Sequence, residues 1–349
     1  MISRIYQTFK GKCLDLYIQS ALNHKWGPKN IELTKGQAAV VCLFKNGSHY
    51  LGELINHHRS MGFEHIFLLD NGSLDSSEEI ARKHSHVSYF TTKLSVSKYQ
   101  YKILNNFVHK SVRNGWCLVV DIDEFFDFPH SDKLELTGLL NYLDENRYTA
   151  TATQMLDLFN NEKIGQLNND EPFLDRDKYC FYELKSIRKE KYHTSGLFTK
   201  TCKSTTISNP DIELLYGGIR KSLYGLDCLL TKHALFKVTP KSLPFSHIHF
   251  VDNANLADIS CVLYHYKLTS QAMATSKQNM KGFETTKQGY ANLIELIDSN
   301  PDMTISDYSI KITGTESLLE SNFLITSDRY AEYTKRITSN LDDTSHKPK

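Results

Sequence analysis

Four short apolar runs, each separated from the next by a helical or turn-rich stretch, constrain this chain more than any other feature. They are AVVCLF (39–44), HIFLLD (65–70), VSYF (87–90) and WCLVVDID (116–123). Runs of this length, bounded by turn signals, suit strands buried on both faces. After the first run, Asn46-Gly47-Ser48 signals a turn and a helix start. Leu51, Leu54, Ile55, His58 and Met61 then recur at helical spacing, and Gly62 stops the helix. After the second, Ser76 and Glu79 have the spacing of a capping box. Before the fourth, a helix is expected over Ser97 to Asn114. Its inward residues would be Tyr101, Leu104, Phe107, Val108 and Val112, and Gly115 would end it. Strands alternating with helices imply a mainly parallel sheet with helices on both faces, the Rossmann-like α/β class. If the strand order is 3-2-1-4, the order reverses between strands one and four. Ligands of such sheets bind outside the carboxyl ends of the strands at that point. The loops there are Phe44 to Ser48 and Asp121 to Asp127.

The rest of the chain is less regular. A helix is expected over Leu134 to Asn146 and an alternating strand over 149–159. Loops and short strands follow over 160–235, then a strand at 261–268. We divide the chain into an N-terminal helical extension (1–35), a catalytic domain (36–270) and a helical C-terminal region (271–349). The catalytic domain has a nucleotide-binding half (36–130) and an acceptor half (131–270). The last ten residues read as a flexible tail. The net charge of +1 provides no global field for nucleic acid. The basic stretch Lys185–Lys191 reads as a solvated loop or strand edge, with peripheral membrane contact as the other reading. No apolar run approaches the ~18 residues of a membrane span. The seven cysteines are scattered without a C-x-x-C pair, which argues against a disulfide framework or a thiolate metal site. Cys42 and Cys117 read as buried thiols. A cytoplasmic location is expected, with the inner face of the membrane as its other setting.

Chemistry concentrates in Asp121-Ile122-Asp123-Glu124. At an extended strand end, residues i and i+2 point the same way, so Asp121 and Asp123 would present two carboxylates to one side. They repel unless a cation or hydrogen bonds compensate. Hard oxygen ligands suit Mg²⁺ or Mn²⁺. Glu124 and Asp127 would orient neighbours or cap the following loop. At the end of the second strand, Ser73 and Asp75 read as helix caps, while Asp70 is a candidate for a nucleobase or ribose contact.

The stretch VVCLFKNGSHYLGELINHHRSMGFEHIFLLDNGSLDSS, followed by WCLVVDIDEFFDFP, resembles the glycosyltransferase family 2-like group. Four motifs match in order across 38–130, with a departure at Gly47, where an acidic residue is usual. The resemblance implies a GT-A fold, a UDP- or GDP-sugar type donor and a metal site of Mn²⁺ or Mg²⁺. By position, Phe44, Lys45 and Asn46 would line the nucleoside pocket, and Asp70 and Asn71 would contact base or ribose. Gln100 would help hold the nucleotide. Asp121 would face ribose and metal, and Asp123 would bind the metal. MLDLF (155–159), GGIRKSLYG (217–225) and LYHYK (263–267) look like later landmarks of the same group. Arg220 and Lys221 would then grip the diphosphate, and His265 would be the third metal ligand, with His247 and His249 competing. Asp157 is the candidate general base for an inverting transfer, with Asp211 and Glu213 as rivals. The acceptor would be a glycan or a lipid-linked hydroxyl, in surface polysaccharide synthesis.

Three other functions compete. A haloacid-dehalogenase-type phosphohydrolase usually has Thr or Val where Phe125 stands. A nucleotidyltransferase needs a Gly- and Arg-rich first loop, which KNGSHY is not. A non-catalytic nucleotide-sugar or carbohydrate-binding protein would not need the acidic motif.

Overall fold

The computed structural model describes residues 13–168, 171–238, 245–247, 249–280 and 284–345. The four apolar runs form β1 (Ala38–Phe44), β2 (His65–Asp70), β3 (Val87–Thr91) and β4 (Trp116–Val120). They pair in parallel in the order 3-2-1-4. Three helices intervene: α1 (Leu51–Ser60), α2 (Ser77–Arg82) and α3 (Val96–Ser111).

Alternation along β1 divides the core in two. Ala38, Val40, Cys42 and Phe44 face one side with Leu51, Leu54 and Ile55 of α1. Ala39, Val41 and Leu43 face the other with Ile103, Leu104, Phe107 and Val108 of α3. Because both faces are covered, the run is apolar without a break. Truncating Leu54, which is fully buried, to alanine should cost about 2–5 kcal/mol. Gly115 has φ +69°, and a Cβ there would lie 2.6 Å from that of Leu33, so only glycine makes the turn into β4.

Beyond β4 come β5 (Glu124–Asp127), α4 (Leu136–Glu145) and β6 (Ala150–Phe159). Then follow β7 (Leu214–Gly217), α5 (Ile219–Tyr224), β8 (Thr231–Lys232), β9 (Leu235–Lys237) and β10 (Asn255–Leu268). β9 lies antiparallel between β4 and β6. β10 runs parallel to β6 and antiparallel to β5. The C-terminal helices α6 (Ala272–Asn279) and α7 (Glu284–Ser299) pack around α5, and α8 (Asp328–Ser345) packs on α4.

The fold class is the expected one: α/β, with a large, mainly parallel central sheet. Several local expectations change. The segment before β1 holds a helix over 13–20 and then a strand, Asn23–Trp26, which pairs with β3, because His24 and Trp26 pack on Phe90 and Tyr89. Tyr101 is 39% exposed rather than inward. The Ser76 side chain makes no cap hydrogen bond. β6 is buried along its whole length rather than alternating, because it is central. The last helix runs to Ser345, where a flexible tail was expected, and 346–349 lie outside the described residues. All seven cysteines are free, with Cys42 and Cys117 buried. Ile187–Glu190 of the basic stretch pairs antiparallel with β7, and Arg188 stacks on Tyr216. Among the described residues no helix is long and apolar enough to cross a membrane.

His57 and His58 show how α1 is fixed to β5. His57 bonds the Phe126 carbonyl at 2.7 Å, and His58 Nε2 accepts the Phe126 amide at 3.3 Å. Burial, with Arg176 beside it, lowers the His57 pKa to about 4, and burial holds His58 well below its usual value. The unfolded chain therefore takes up protons below pH ~6.5 that the folded chain refuses, and stability falls as pH drops from there toward 4. Thermal unfolding at pH 7.5 and 5.0 should show this loss, and His57→Gln should reduce the difference.

Candidate active site

β4 ends at Val120, and the chain turns through Asp121–Asp123 before β5 begins. The expectation that the two aspartates share one side of an extended strand therefore fails, and the turn sends them to different partners. Asp121 is half-exposed, and its Oδ2 accepts from Lys232 Nζ at 2.8 Å. Asp123 is 9% exposed, and its Oδ2 lies 3.3 Å from Lys267 Nζ and 3.5 Å from His265 Nε2. Glu124, 1% exposed, accepts the Asp121 amide at 2.9 Å and Lys232 Nζ at 2.5 Å. It thus orients the turn, as expected.

Strand register aligns the rest. His265 on β10 is paired with Glu124 on β5 and with Asp157 on β6. The His265 Nδ1 is hydrogen-bonded to Asp157 Oδ1, and Asp157 Oδ2 accepts from Arg220 Nε at 2.8 Å. A continuous chain runs Asp123, His265, Asp157, Arg220, and all four are buried.

Burial opposes every charge here, and the partners overcome it at Asp123, Asp157 and His265 but not at Glu124. Against burial, Lys267 and His265 hold the Asp123 carboxyl well below the usual range. Against burial, Arg220 and His265 lower Asp157. Against burial, Asp123 and Asp157 raise His265. Burial, which Lys232 only partly offsets, raises Glu124. Asp157 is thus a carboxylate, so Nδ1 of His265 donates to it, and Nε2 is left facing the carboxylate of Asp123. Two electron-rich atoms in a dry site repel unless a cation, either a proton or a metal ion, lies between them.

A cavity of about 630 Å³ opens here, at the carboxyl ends of β1 and β4 where the strand order reverses. Its walls include Lys45 and Asn46 after β1, Gln100 of α3, Asp121 and Asp123, and also Arg220, Lys232, His265 and Lys267. Thr275 and Gln278 of α6 and Tyr290 of α7 close it from the C-terminal region. His247 and His249 line it as well. The His249 Nδ1 donates to the Thr231 carbonyl at 3.0 Å, and the His247 Nδ1 accepts the His249 amide at 3.2 Å.

Other candidates are held elsewhere. Phe44 is buried in the core against Tyr89. Asp70 is 6% exposed: Oδ1 accepts the Ser73 amide and hydroxyl, and Oδ2 accepts the Tyr89 hydroxyl. It builds the turn after β2 and has no oxygen turned to the cavity. The Asn71 amide donates to the Thr92 and Leu94 carbonyls. Asp75 joins the two loops by accepting from Ser48 and Ser77. Lys221 is 45% exposed and pairs with Asp227. Asp157, 3% exposed with both oxygens engaged, offers none to an acceptor hydroxyl, and neither Asp211 nor Glu213 lines the cavity. At Gly47 a Cβ would approach Phe44 to 2.8 Å and Ile122 to 3.0 Å, so a larger side chain there needs both to move.

A divalent cation suits the gap between Asp123 and His265. His265 is oriented by a buried carboxylate, the arrangement that fixes a ligating imidazole. Among the described residues no three His, Cys, Asp or Glu side chains converge on one point.

Lys232 and Lys267 were not anticipated. Lys267 had a signal, standing two residues from His265 on the same strand face. Lys232 had none.

No protein-family model and no curated protein matches this chain. Among solved structures, the mannosyl-3-phosphoglycerate synthase from Rubrobacter xylanophilus is similar over 39% of this chain, at 14% identity and TM-score 0.27. The chain spans only 43% of that synthase's length. HddC from Yersinia pseudotuberculosis is similar over 69% of this chain and 99% of its own, at 8% identity and TM-score 0.31. The mannosyltransferase PcManGT from Pyrobaculum calidifontis, solved with GDP-Man and Mn²⁺, is similar over 74% of this chain and 69% of its own, at 12% identity and TM-score 0.32. Likeness this weak does not bear on what this chain does.

Proposed function

We propose that this chain is a glycosyltransferase of GT-A type that takes a nucleotide sugar, of UDP- or GDP- type, and transfers its sugar to a glycan or lipid-linked hydroxyl. One observation carries the reading: the cavity at the strand-order reversal joins a carboxylate–imidazole gap that calls for a cation to three basic side chains, the buried Lys232 and Arg220 and the partly buried Lys267. Such a mixture suits a diphosphate with its counter-ion.

Asp123 and His265 would hold Mn²⁺ or Mg²⁺, with Asp121 at the rim. The ion supplies neutralisation of the charge that develops on the departing nucleoside diphosphate. Lys267 bonds Asp123 and Lys232 bonds Asp121 and Glu124, and their ammonium groups would also reach phosphate oxygens when donor binds. Lys45, Asn46 and Gln100 line the side on which the nucleoside would lie. The transfer is proposed as inverting; Asp157, the base expected for it, is engaged by His265 and Arg220.

Thermal-shift measurements with UDP, GDP and nucleotide sugars test the reading. At a ligand concentration 100 times Kd, the native state gains about 2.7 kcal/mol, several degrees in Tm. The expected result is a shift with Mn²⁺ that EDTA removes. No shift with any nucleotide, with or without metal, would reject the proposal.

A further inference from the structure

The role inferred here rests on the glycosyltransferase reading, which gives Asp157 no work of its own and counts Arg220 only as a basic side chain of the cavity wall. Both are buried, at 3% and 8% side-chain exposure, and they form an ion pair at 2.8 Å. Such a pair is weak evidence for stability, because removing two charges from water offsets most of their attraction. Arg220 adds to that cost, since its Nη2 is buried with no partner. The geometry shows a different use. Asp157 Oδ1 bonds the Nδ1 of His265 and not its Nε2. This places the proton on Nδ1, fixes the ring plane, and leaves Nε2 facing Asp123, 3.5 Å away. Arg220 in turn holds the Asp157 carboxylate in that orientation through its other oxygen, Oδ2, at 2.8 Å.

We propose that Asp157 and Arg220 are positioning residues that prepare His265 to accept a divalent cation through Nε2. Asp157 fixes the imidazole's tautomer and orientation, and Arg220 fixes the orientation of the Asp157 carboxylate. The strand register carries this pairing, because β6 and β10 place residues 157 and 265 directly side by side. Neither residue needs to touch substrate.

Mn²⁺ titration of the nucleotide-free full-length protein, followed by electron paramagnetic resonance, tests it. The probe is the metal alone, so the readout does not depend on turnover. Wild type and the variants His265→Ala, Asp157→Asn and Arg220→Gln are compared. Loss of an outer-shell carboxylate typically costs 10–100-fold in metal affinity. Asp157→Asn should therefore weaken Mn²⁺ by about that factor, and Arg220→Gln should do the same to a lesser degree. Nitrogen-15 shifts of His265 should show Nδ1 protonated in wild type and a mixture of tautomers in Asp157→Asn. If Asp157→Asn does not fold, the paired variant Asp157→Asn/Arg220→Gln leaves no lone buried charge and should show the same loss of metal affinity. Metal affinity lost in His265→Ala but retained in the foldable Asp157 variants overturns the positioning role and leaves the metal site standing. Affinity retained in His265→Ala overturns the metal site itself.

Discussion

Asp123→Asn should abolish metal-dependent nucleotide binding and lower sugar transfer by on the order of 10³-fold, the loss seen when one group that stabilises developing charge is removed from a dry site. The substitution keeps shape and removes charge. Asp123 faces both His265 and Lys267, so the variant loses the only carboxylate within reach of the His265 Nε2 among the described residues. Asp121→Asn should be milder, because Asp121 is half-exposed and its contact with Lys232 can be replaced by Glu124. The two variants, assayed by release of nucleoside diphosphate from donor with and without added Mn²⁺, should differ by at least about tenfold. Melting temperatures should accompany the rates, since Lys267 loses its carboxylate partner in Asp123→Asn.

Lys232→Met should be the most destabilising single change in the site. Lys232 Nζ lies against Glu124, which is 1% exposed, and Asp121. Removing one partner of a buried pair leaves an uncompensated charge and costs about 3–5 kcal/mol. Burial already raises the Glu124 pKa with the lysine in place, and without it the rise should be larger. A raised folded-state pKa means that the native form holds a proton that the unfolded chain has released. The stability of Lys232→Met should therefore be lowest above that raised pKa and recover as pH falls through it toward the unfolded value near 4.5. Glu124→Gln in the same chain should restore most of the loss at neutral pH. Denaturant unfolding of the three proteins at pH 7 and pH 5 measures both effects.

The nucleotide-binding half was legible because local physics determines it. Buried parallel strands leave unbroken apolar runs, and the order 3-2-1-4 places β1 beside β4. That was sufficient to put Asp121 and Asp123 beside the loop after β1. It was not sufficient to orient them: the turn at Ile122 separates the two carboxylates, which periodicity along a strand cannot show. Asp70 and Asn71 have the composition of a ligand-binding loop, but their hydrogen bonds are used up within it. Nothing local distinguishes those cases. Asp157 read as a base because it stands on a central strand, and only the register between β6 and β10 shows its oxygen on His265. Lys232 comes from a two-residue strand, and its role depends on a fold over more than 100 residues of separation. The C-terminal helices read as an appendage, yet Thr275, Gln278 and Tyr290 wall the cavity.

A crystal structure of the protein with a nucleoside diphosphate and Mn²⁺ bears most directly on whether this cavity binds donor. The diphosphate should lie at the carboxyl ends of β1 and β4, with the ion on His265 Nε2 and Asp123 and with Lys232 or Lys267 turned onto phosphate oxygens. A nucleotide found instead in the open cleft beside Phe173 and Arg176, on the far side of β10, with the Asp123–His265 gap unchanged, would contradict it.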